Sequence, residues 1–351
     1  MKSFASDNYS GAHPEVLRAV VQASDNHVPS YGEDPYTEEA TDAFRKQFGS
    51  DVHVQMLFNG TAANILCLSA LMKPWDGVIA AKTAHINTDE CGAPERVAGI
   101  KVIPVDTENG KLTIEAIAPI VEQLQGFEHA RQPKVISISN VAELGTLYSP
   151  EETRILAEYA HSKGMYLHVD GARLANAAAA LDVSLAALTS EAGVDALSLG
   201  GTKNGMLYGD AALWFGGAAK EVKAGSFMLC KASSMLGSKM RFQAVQFHAM
   251  YAGTLWRECA NQANAMAKRL AAGLPKDCKL AFVEKVGFAN EVFAHLPKNI
   301  ISPLQERFHF YTWEVGEDNT DVVRWVTSWD TKEEEVDALL DAIRTSIEAV
   351  A

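Results

Sequence analysis

An aspartate, an arginine and a lysine stand where buried strands run out. The apolar stretch "MYLHV" (165–169) runs straight into "DGAR", which puts Asp170 at a strand's carboxyl end and Arg173 three residues on. Thirty-three residues after Asp170, the run "ALSLGG" delivers Lys203 into a glycine-rich turn, "GGTKNG". Ligands of open α/β sheets bind beyond the carboxyl ends of the strands. A carboxylate there can pair with a cationic ring nitrogen, and an arginine can donate to an anionic oxygen. A partly desolvated lysine amine can form a Schiff base with a carbonyl. Upstream, "FNGTAAN" sets Gly60 and Thr61 at the start of a helical pattern, where free N–H groups and the helix dipole favour an anion. Each feature also has an ordinary use: a plain helix cap, a strand-end aspartate paired locally with Arg173, a solvated lysine in a turn. Taken together, in this order, they describe a receptacle for a ligand that carries an anion, a basic ring nitrogen and a carbonyl.

The elements that must position these groups alternate between strand and helix. Apolar runs recur as "VQMLFN" (54–59), "GVIAA" (77–81), "KVIPV" (101–105), "KVISIS" (134–139), "MYLHV", "ALSL" (196–199) and "AALWF" (211–215). Helical patterns separate most of them, which predicts an α/β fold with a mainly parallel central sheet covered on both faces. One helix is signposted by Ser149 as cap, Pro150 at its first position, Glu152 completing a capping box, and Gly164 at its end. Another opens at "NGTAANILCLSAL". From about residue 242 the texture changes to a long helical pattern. It is followed by "AFVEK", "EVFAHL", "FYTWEV" and "VVRWVTSW" as antiparallel strands and by a closing helix, "EEEVDALLDAIRTSIEAV". The expected organisation is a large α/β domain over 13–245 and a smaller α+β domain built from 1–12 with 246–351.

The chain has 351 residues, 48% of them hydrophobic and 21% charged, as in globular proteins in water. A net charge of −13 argues against nucleic-acid or anionic-membrane partners. Cys67, Cys91, Cys230, Cys259 and Cys278 are scattered, odd in number and without a CxxC pair, so they read as reduced thiols rather than disulfides or a zinc site. No metal is expected. The opening "MKSFASDNYSG" has no apolar core of a signal peptide, and no run of about 18 apolar residues follows. The expectation is a cytoplasmic protein acting on a small molecule. No GxGxxG follows a first strand and no GxxxxGK[ST] occurs, which removes the main support for dinucleotide and P-loop readings.

An anion cradle, then a strand-end aspartate, then a strand-end lysine is the order needed to hold pyridoxal phosphate by its phosphate, ring nitrogen and aldehyde. Here the chain resembles the threonine aldolase and β-eliminating lyase family of fold-type I pyridoxal-phosphate enzymes. The resemblance runs nearly end to end through "SDNYSG", "YGEDP", "GTAAN", "AHINTDECGA", "LHVDGARLANAA", "GGTKNG" and "VRWVTSWD", in family order. "HVDGAR" with a downstream lysine is its most specific part.

The resemblance implies roles residue by residue. Gly60 and Thr61 would hold the phosphate, and His85 in "AHINTDE" would stack on the cofactor ring. Asp170 would pair with the ring nitrogen, and Arg173 would lie near the ring oxygen and the substrate. Lys203 would carry the Schiff base. Ser6 and Arg324 match positions that bind the substrate's α-carboxylate; Arg324 sits in an otherwise apolar, aromatic run, which by itself makes a desolvated arginine plausible. Tyr31 in "YGEDP" matches a tyrosine that reaches the neighbouring subunit's site, so a homodimer or homotetramer with composite sites is implied. Lys231 and Arg241 read as a basic helix face, with reach to the phosphate as the alternative. The implied activity is cleavage of L-threonine, L-allo-threonine or a related β-hydroxy-α-amino acid to glycine and an aldehyde.

Two departures qualify it. Many members carry a Thr-His pair after the central strand's asparagine; here the stretch is "SNVAELGT", with Ala142 at the histidine position. The base for the β-hydroxyl is thereby left open between His85 and a bound water. "GGTKNG" also differs from the commoner "SKGLG" and looks more like the branch that includes phenylserine aldolases. The alternatives are a phenylserine aldolase, or another pyridoxal-phosphate β-eliminating lyase or amino-acid racemase that uses Asp170 and Lys203 to break a different bond. A lysine aldolase without cofactor is disfavoured by "HVDGAR". A non-enzymatic cofactor-binding regulator is disfavoured because no basic DNA-binding segment is evident.

Overall fold

All seven apolar runs of the first 215 residues form strands of one sheet. The computed structural model describes residues 2–282 and 287–349. A short strand β1 (Lys2–Ser3) precedes β2 (His53–Leu57), β3 (Asp76–Ala81), β4 (Lys101–Val105), β5 (Gln132–Ser139), β6 (Tyr166–Gly171), β7 (Ala196–Gly200) and β8 (Asp210–Trp214). The last seven lie side by side in the order β2-β8-β7-β6-β5-β3-β4. Neighbours from β7 across to β4 are parallel, and β8 alone runs antiparallel to both β7 and β2. Every residue of β3, β7 and β8 is buried, as their mostly apolar sequences require of strands covered on both faces. The helix Gly60–Leu71 buries eight of its twelve residues, so it shows no polar stripe. The capping box of helix Pro150–Ser162 forms as expected: Ser149 Oγ accepts from the Glu152 amide at 3.2 Å and Glu152 Oε2 from the Ser149 amide at 2.8 Å.

The parallel topology places one edge of the sheet beneath a set of loops. In register along that edge lie Leu57, Asp210 and Gly200, and then, across β7, β6 and β5, Ser198, Asp170 and Ser139. The loops that leave this edge carry Gly60, His85, Glu143, Arg173 and Lys203.

The helical pattern beyond residue 240 is two helices, Arg241–Tyr251 and Leu255–Gly273, broken around Gly253. The first half of the second helix buries Trp256, Cys259 and Ala260 in the core of the large sheet. Its second half gives Met266, Ala267 and Leu270 to a separate core under β9 (Glu291–Pro297), β10 (Phe308–His309), β11 (Tyr311–Glu314) and β12 (Thr320–Val326). The packing seam therefore falls inside this helix. β11, β12 and β9 form an antiparallel sheet in that order, and helix Glu333–Glu348 closes the core with Val336, Leu339, Leu340 and Ile343. Of the "AFVEK" run, Ala281 donates to the Phe293 carbonyl at 2.9 Å, while residues 283–286 lie outside the described residues. The amino terminus is stitched into this second unit. β1 pairs with β10, Val326 donates to the Phe4 carbonyl at 2.7 Å, and Phe4 is buried. Among the described residues, no helix is long and apolar enough to cross a membrane.

Gly200 and Gly201 end β7 because nothing larger fits. A Cβ on Gly200 would sit 2.5 Å from the Ala172 carbonyl oxygen and 2.7 Å from its Cα; one on Gly201 would sit 2.2 Å from the Met206 sulfur. The turn that aims Lys203 thus packs backbone to backbone against the turn that aims Arg173. Gly200→Ala should destabilise the protein by about 1–3 kcal/mol through overpacking, read as a lower urea midpoint at unchanged m-value. An unchanged midpoint would mean that the two turns are free to separate.

Candidate active site

The five loops enclose a cavity of about 250 Å³ at the carboxyl edge of the sheet. Its wall includes Gly60, Thr61, His85, Asp170, Arg173 and Lys203, six residues drawn from four stretches of sequence. Asn59, Asn64, Ser139, Glu143 and Asp210 line it as well.

At one end opens helix Gly60–Leu71. Its cap is Asn59, whose Oδ1 accepts from the Ala62 amide at 2.9 Å, while the Asn59 carbonyl accepts from Ala63. Neither bond uses the amides of Gly60 and Thr61, which remain as helix-end donors at the cavity wall. No atom lies within 4 Å of where a Gly60 Cβ would stand, so the approach is open.

Asp170 sits on the floor. Its Oδ2 accepts from Asn64 Nδ2 at 2.9 Å and its Oδ1 from the Ala172 amide at 3.0 Å. Burial works to raise its pKa, but the His85 charge and the two donors outweigh it, and the carboxyl is held below its ordinary value. Asn64 is itself fixed from behind by a short bond from Ser198 Oγ. Ser198 in turn meets His168 Nε2 at 2.8 Å, and His168 Nδ1 meets Ser137 Oγ at 2.9 Å. Burial drives the His168 pKa down to about 4, so this histidine is a neutral strut.

Above Asp170, His85 Nδ1 lies 2.8 Å from Glu90 Oε1, and that bond raises the imidazole pKa against the cost of burial. His85, Glu90 and Asp170 bring ligand-type atoms within 4.8 Å of one another. The Asn64 amide donates to both carboxylates, at 2.7 and 2.9 Å, and ties them together. Lys203 rises from the turn Thr202–Asn204; Gly201, just before the turn, donates to Asp210 Oδ1 at 3.1 Å, and Asn204 in the turn donates to the Trp256 carbonyl at 2.9 Å. No described residue bonds to its amine. The Arg173 charge first, and burial second, lower the pKa of that amine.

Arg173 is bound edge-on to Asp7, with Nε and Nη2 at 2.7 and 2.9 Å, and its Nη1 lies 3.3 Å from Glu291. The same buried Glu291 faces Arg324 at 3.6 Å. Arg324 also donates to the Ala5 carbonyl at 3.3 Å and lies over the Trp313 ring at 4.6 Å, while its Nε has no partner. Ser6 caps the turn Asp7–Tyr9, accepting from Asn8 at 3.1 Å. Neither Ser6 nor Arg324 is part of the cavity wall, though Asn8 is. Tyr31 is not brought to this cavity. It is exposed, at a φ of +60°, with Lys231 over its ring at 5.1 Å and its hydroxyl 3.4 Å from Ser238. Arg241 is likewise tied to this outer segment, donating to the Asn26 carbonyl at 2.9 Å.

Sequence reasoning did not find Asn64, Glu90, Glu143, Asp7 or Glu291. Asn64 and Glu90 lay inside quoted motifs, and Glu143 directly follows the alanine that marked a departure.

The sheet order and the loop-built cavity define an enzyme of the fold-type I pyridoxal-phosphate class. The family model described as β-eliminating lyase matches residues 3–296, and the chain belongs to that family, one of pyridoxal-phosphate-dependent lyases. It is 40% identical to a low-specificity L-threonine aldolase of Pseudomonas aeruginosa, over 98% of this chain and 97% of that one. A second low-specificity L-threonine aldolase, from a Pseudomonas species, is 38% identical over 99% of each chain. A solved structure of Leishmania major threonine aldolase superposes with a TM-score of 0.92 at 30% identity, covering 98% of this chain and 99% of that chain.

The Glu90 contact gives His85 a testable signature. Glu90→Gln should lower the imidazole pKa to 6.5 or below, followed by NMR titration of the ring protons. Because the pair raises a histidine pKa, its contribution to stability is complete below pH 6.5 and is lost as pH rises through the folded value. An unchanged titration would mean that Asp170 holds the proton instead.

Proposed function

We propose that this enzyme cleaves L-threonine, L-allo-threonine or a closely related β-hydroxy-α-amino acid to glycine and an aldehyde, using pyridoxal phosphate. The observation that carries the reading is the convergence in one cavity of the free Gly60 and Thr61 amides, an ionised Asp170 and the Lys203 amine. These are the partners that a phosphate, a pyridinium nitrogen and an aldehyde need. Pyridoxal phosphate, when bound, supplies the sink for the electron pair released as Cα–Cβ breaks.

The chain's residues do the rest. Asp170 would hold a proton on the ring nitrogen, its Oδ1 being kept in place by the Ala172 amide. His85, fixed by Glu90, would lie against the ring. Lys203, with its pKa lowered, offers a neutral amine more readily than a solvated lysine does. Arg324 is the better partner for the substrate carboxylate: Arg173 already spends its donors on Asp7 and Glu291, whereas Arg324 keeps a free Nε. Its bond to the Ala5 carbonyl puts it one residue from Ser6, so the two form one carboxylate clamp. Fixing the carboxylate turns Cα–Cβ toward the orientation in which it breaks most easily. A cytoplasmic setting accords with five free cysteines, four of them buried.

Incubation with L-threonine should release glycine and acetaldehyde in equal amounts, and borohydride reduction of the holoenzyme should label Lys203 on peptide mapping. Lys203→Ala should retain the fold and lose at least about a hundredfold in turnover. Turnover of amino acids without a β-hydroxyl, with threonine untouched, would replace this reading by another lyase or a racemase.

The reading extends to assembly. Tyr31 belongs to a second chain's site, in a homodimer or larger homo-oligomer. Its strained backbone and its exposure beside Lys231 support this, since nothing in its own chain's cavity uses it. Subunits of Lys203→Ala and Tyr31→Ala, mixed and reassociated, should then recover activity well above the sum of the parents. No recovery despite proven exchange would confine Tyr31 to its own chain.

A further inference from the structure

Aldol cleavage needs a base at the β-hydroxyl, and the cavity restricts the choice. Asp170 is committed through both oxygens and held ionised below its ordinary value, so it attracts protons poorly. His85 has its imidazole pKa raised by Glu90, so a smaller share of it than of a free imidazole is open to accept a proton near neutrality. Asp210 lines the cavity as well and burial raises it to about 6, but both of its oxygens are engaged, Oδ1 accepting from Gly201 at 3.1 Å and Oδ2 from the Thr202 hydroxyl at 3.5 Å. Arg173 is a permanent cation.

Glu143 differs from all of these. It lines the same cavity, on the loop that leaves β5. Its Oε1 is pinned by two donors, the Ser139 hydroxyl at 2.6 Å and the His85 amide at 3.0 Å. The Glu143 amide itself also bonds to the carboxylate, and no other described residue donates to Oε2. Ala142, the residue before it, is fully buried, and its amide is tied to the Thr146 carbonyl at 3.0 Å. The tight turn that Gly145 permits, at a φ of +79°, therefore brings the side chain of 143, not 142, to the cavity wall.

We propose that Glu143 is the base that takes the proton of the substrate's β-hydroxyl, through its Oε2 atom, an assignment that rests on the aldol-cleavage reading above. The hydroxyl O–H bond breaks as the Glu143 O–H bond forms. The freed oxygen pair closes the aldehyde C=O, and the Cα–Cβ pair stays on Cα. Cα then gains one proton and Glu143 gives one up, so the substrate divides into glycine and aldehyde with no net proton consumed. The fixed Oε1 sets the direction of Oε2; Cα takes its proton from another donor and Glu143 returns its own to solvent, so α-proton exchange does not pass through Glu143. Burial, with the nearby Asp170 charge adding to it, raises the carboxyl pKa to about 7, although Ser139 and the His85 amide pull it down. A base with that value is poised for proton transfer near neutrality. The other charged groups about it are His85 with Glu90 on the loop after β3, and Lys203 on the loop after β7.

The test compares Glu143→Gln with the parent holoenzyme in two reactions. Glutamine keeps the acceptor for Ser139 and His85 but cannot take a proton. Threonine cleavage should fall about 100- to 10,000-fold, and the acid limb of the parent's pH profile, near 7, should disappear. Exchange of the glycine α-proton in D₂O, which involves no β-hydroxyl, should stay within a few-fold and so report an intact site. In the cofactor-free protein, carbon NMR of labelled glutamate carboxyls should show one group that titrates near 7 in the parent and is missing from Glu143→Gln. Cleavage that survives in Glu143→Gln overturns the assignment. So does a parallel fall of cleavage and exchange, which would make Glu143 a support for the loop. If the parent exchanges glycine but never cleaves β-hydroxy amino acids, it is the aldol reading that fails.

Discussion

A carboxylate buried at the end of a central strand has to stay charged, and much of the site follows from meeting that demand. Leaving an ionised group away from water is costly unless hydrogen bonds and opposite charge replace its solvation. Asp170 receives one donor from the backbone turn beyond it and one from Asn64, on a helix that covers the sheet. Asn64 is useful there only while its amide faces inward. The chain Ser137–His168–Ser198, running across β5, β6 and β7, ends on the Asn64 oxygen and so fixes which way the amide points. A neutral His168 serves this better than a charged one, because a second cation beneath Asp170 would compete for it. The polar core under the cavity is thus one connected device that keeps a single acid ionised.

The same accounting explains why His85 and Glu143, which touch, are both raised but by different causes. Glu90 gives His85 a buried carboxylate to lean on, and that bond raises the imidazole pKa. Glu143 receives only neutral donors, so burial dominates and its carboxyl is raised to about 7. A carboxyl brought to that value is suited to exchanging a proton near neutrality.

The strands were legible because burial on both faces leaves a plain signature: β3, β7 and β8 are mostly apolar, with Asp76, Ser198 and Asp210 as their polar exceptions. The lysine and aspartate were legible in combination, since each alone has an ordinary use at a strand end or in a turn. Helix Arg241–Tyr251 and its successor merged in the sequence because the break near Gly253 disturbs the apolar spacing too little. Asn64, Asp7 and Glu291 were illegible for another reason. A polar residue inside an apolar helix, a capped turn or a strand declares its partner only when distant segments meet, and Asp7 meets Arg173 across 166 residues. Glu143 was hidden by register, since the motif pointed one residue short of the side chain that reaches the wall.

Arg173 belongs to the large sheet's core, whereas Asp7, Glu291 and Arg324 come from the unit stitched together by the amino terminus and β9–β12. These four charged groups therefore meet only where the two apolar cores are joined. Two arginines and two carboxylates make that joint neutral, and a buried ion pair of this kind adds little net stability over apolar packing of equal volume. The cores on either side hold the fold; the charges fix how one unit is turned against the other. Glu291 is the element that makes this more than a local pairing. It lies at 3.3 Å from one arginine and 3.6 Å from the other, and neither of its oxygens forms a hydrogen bond. A carboxylate held by charge alone leaves Arg324 oriented but not saturated, which is the state a guanidinium needs if it is to receive a second carboxylate from a substrate.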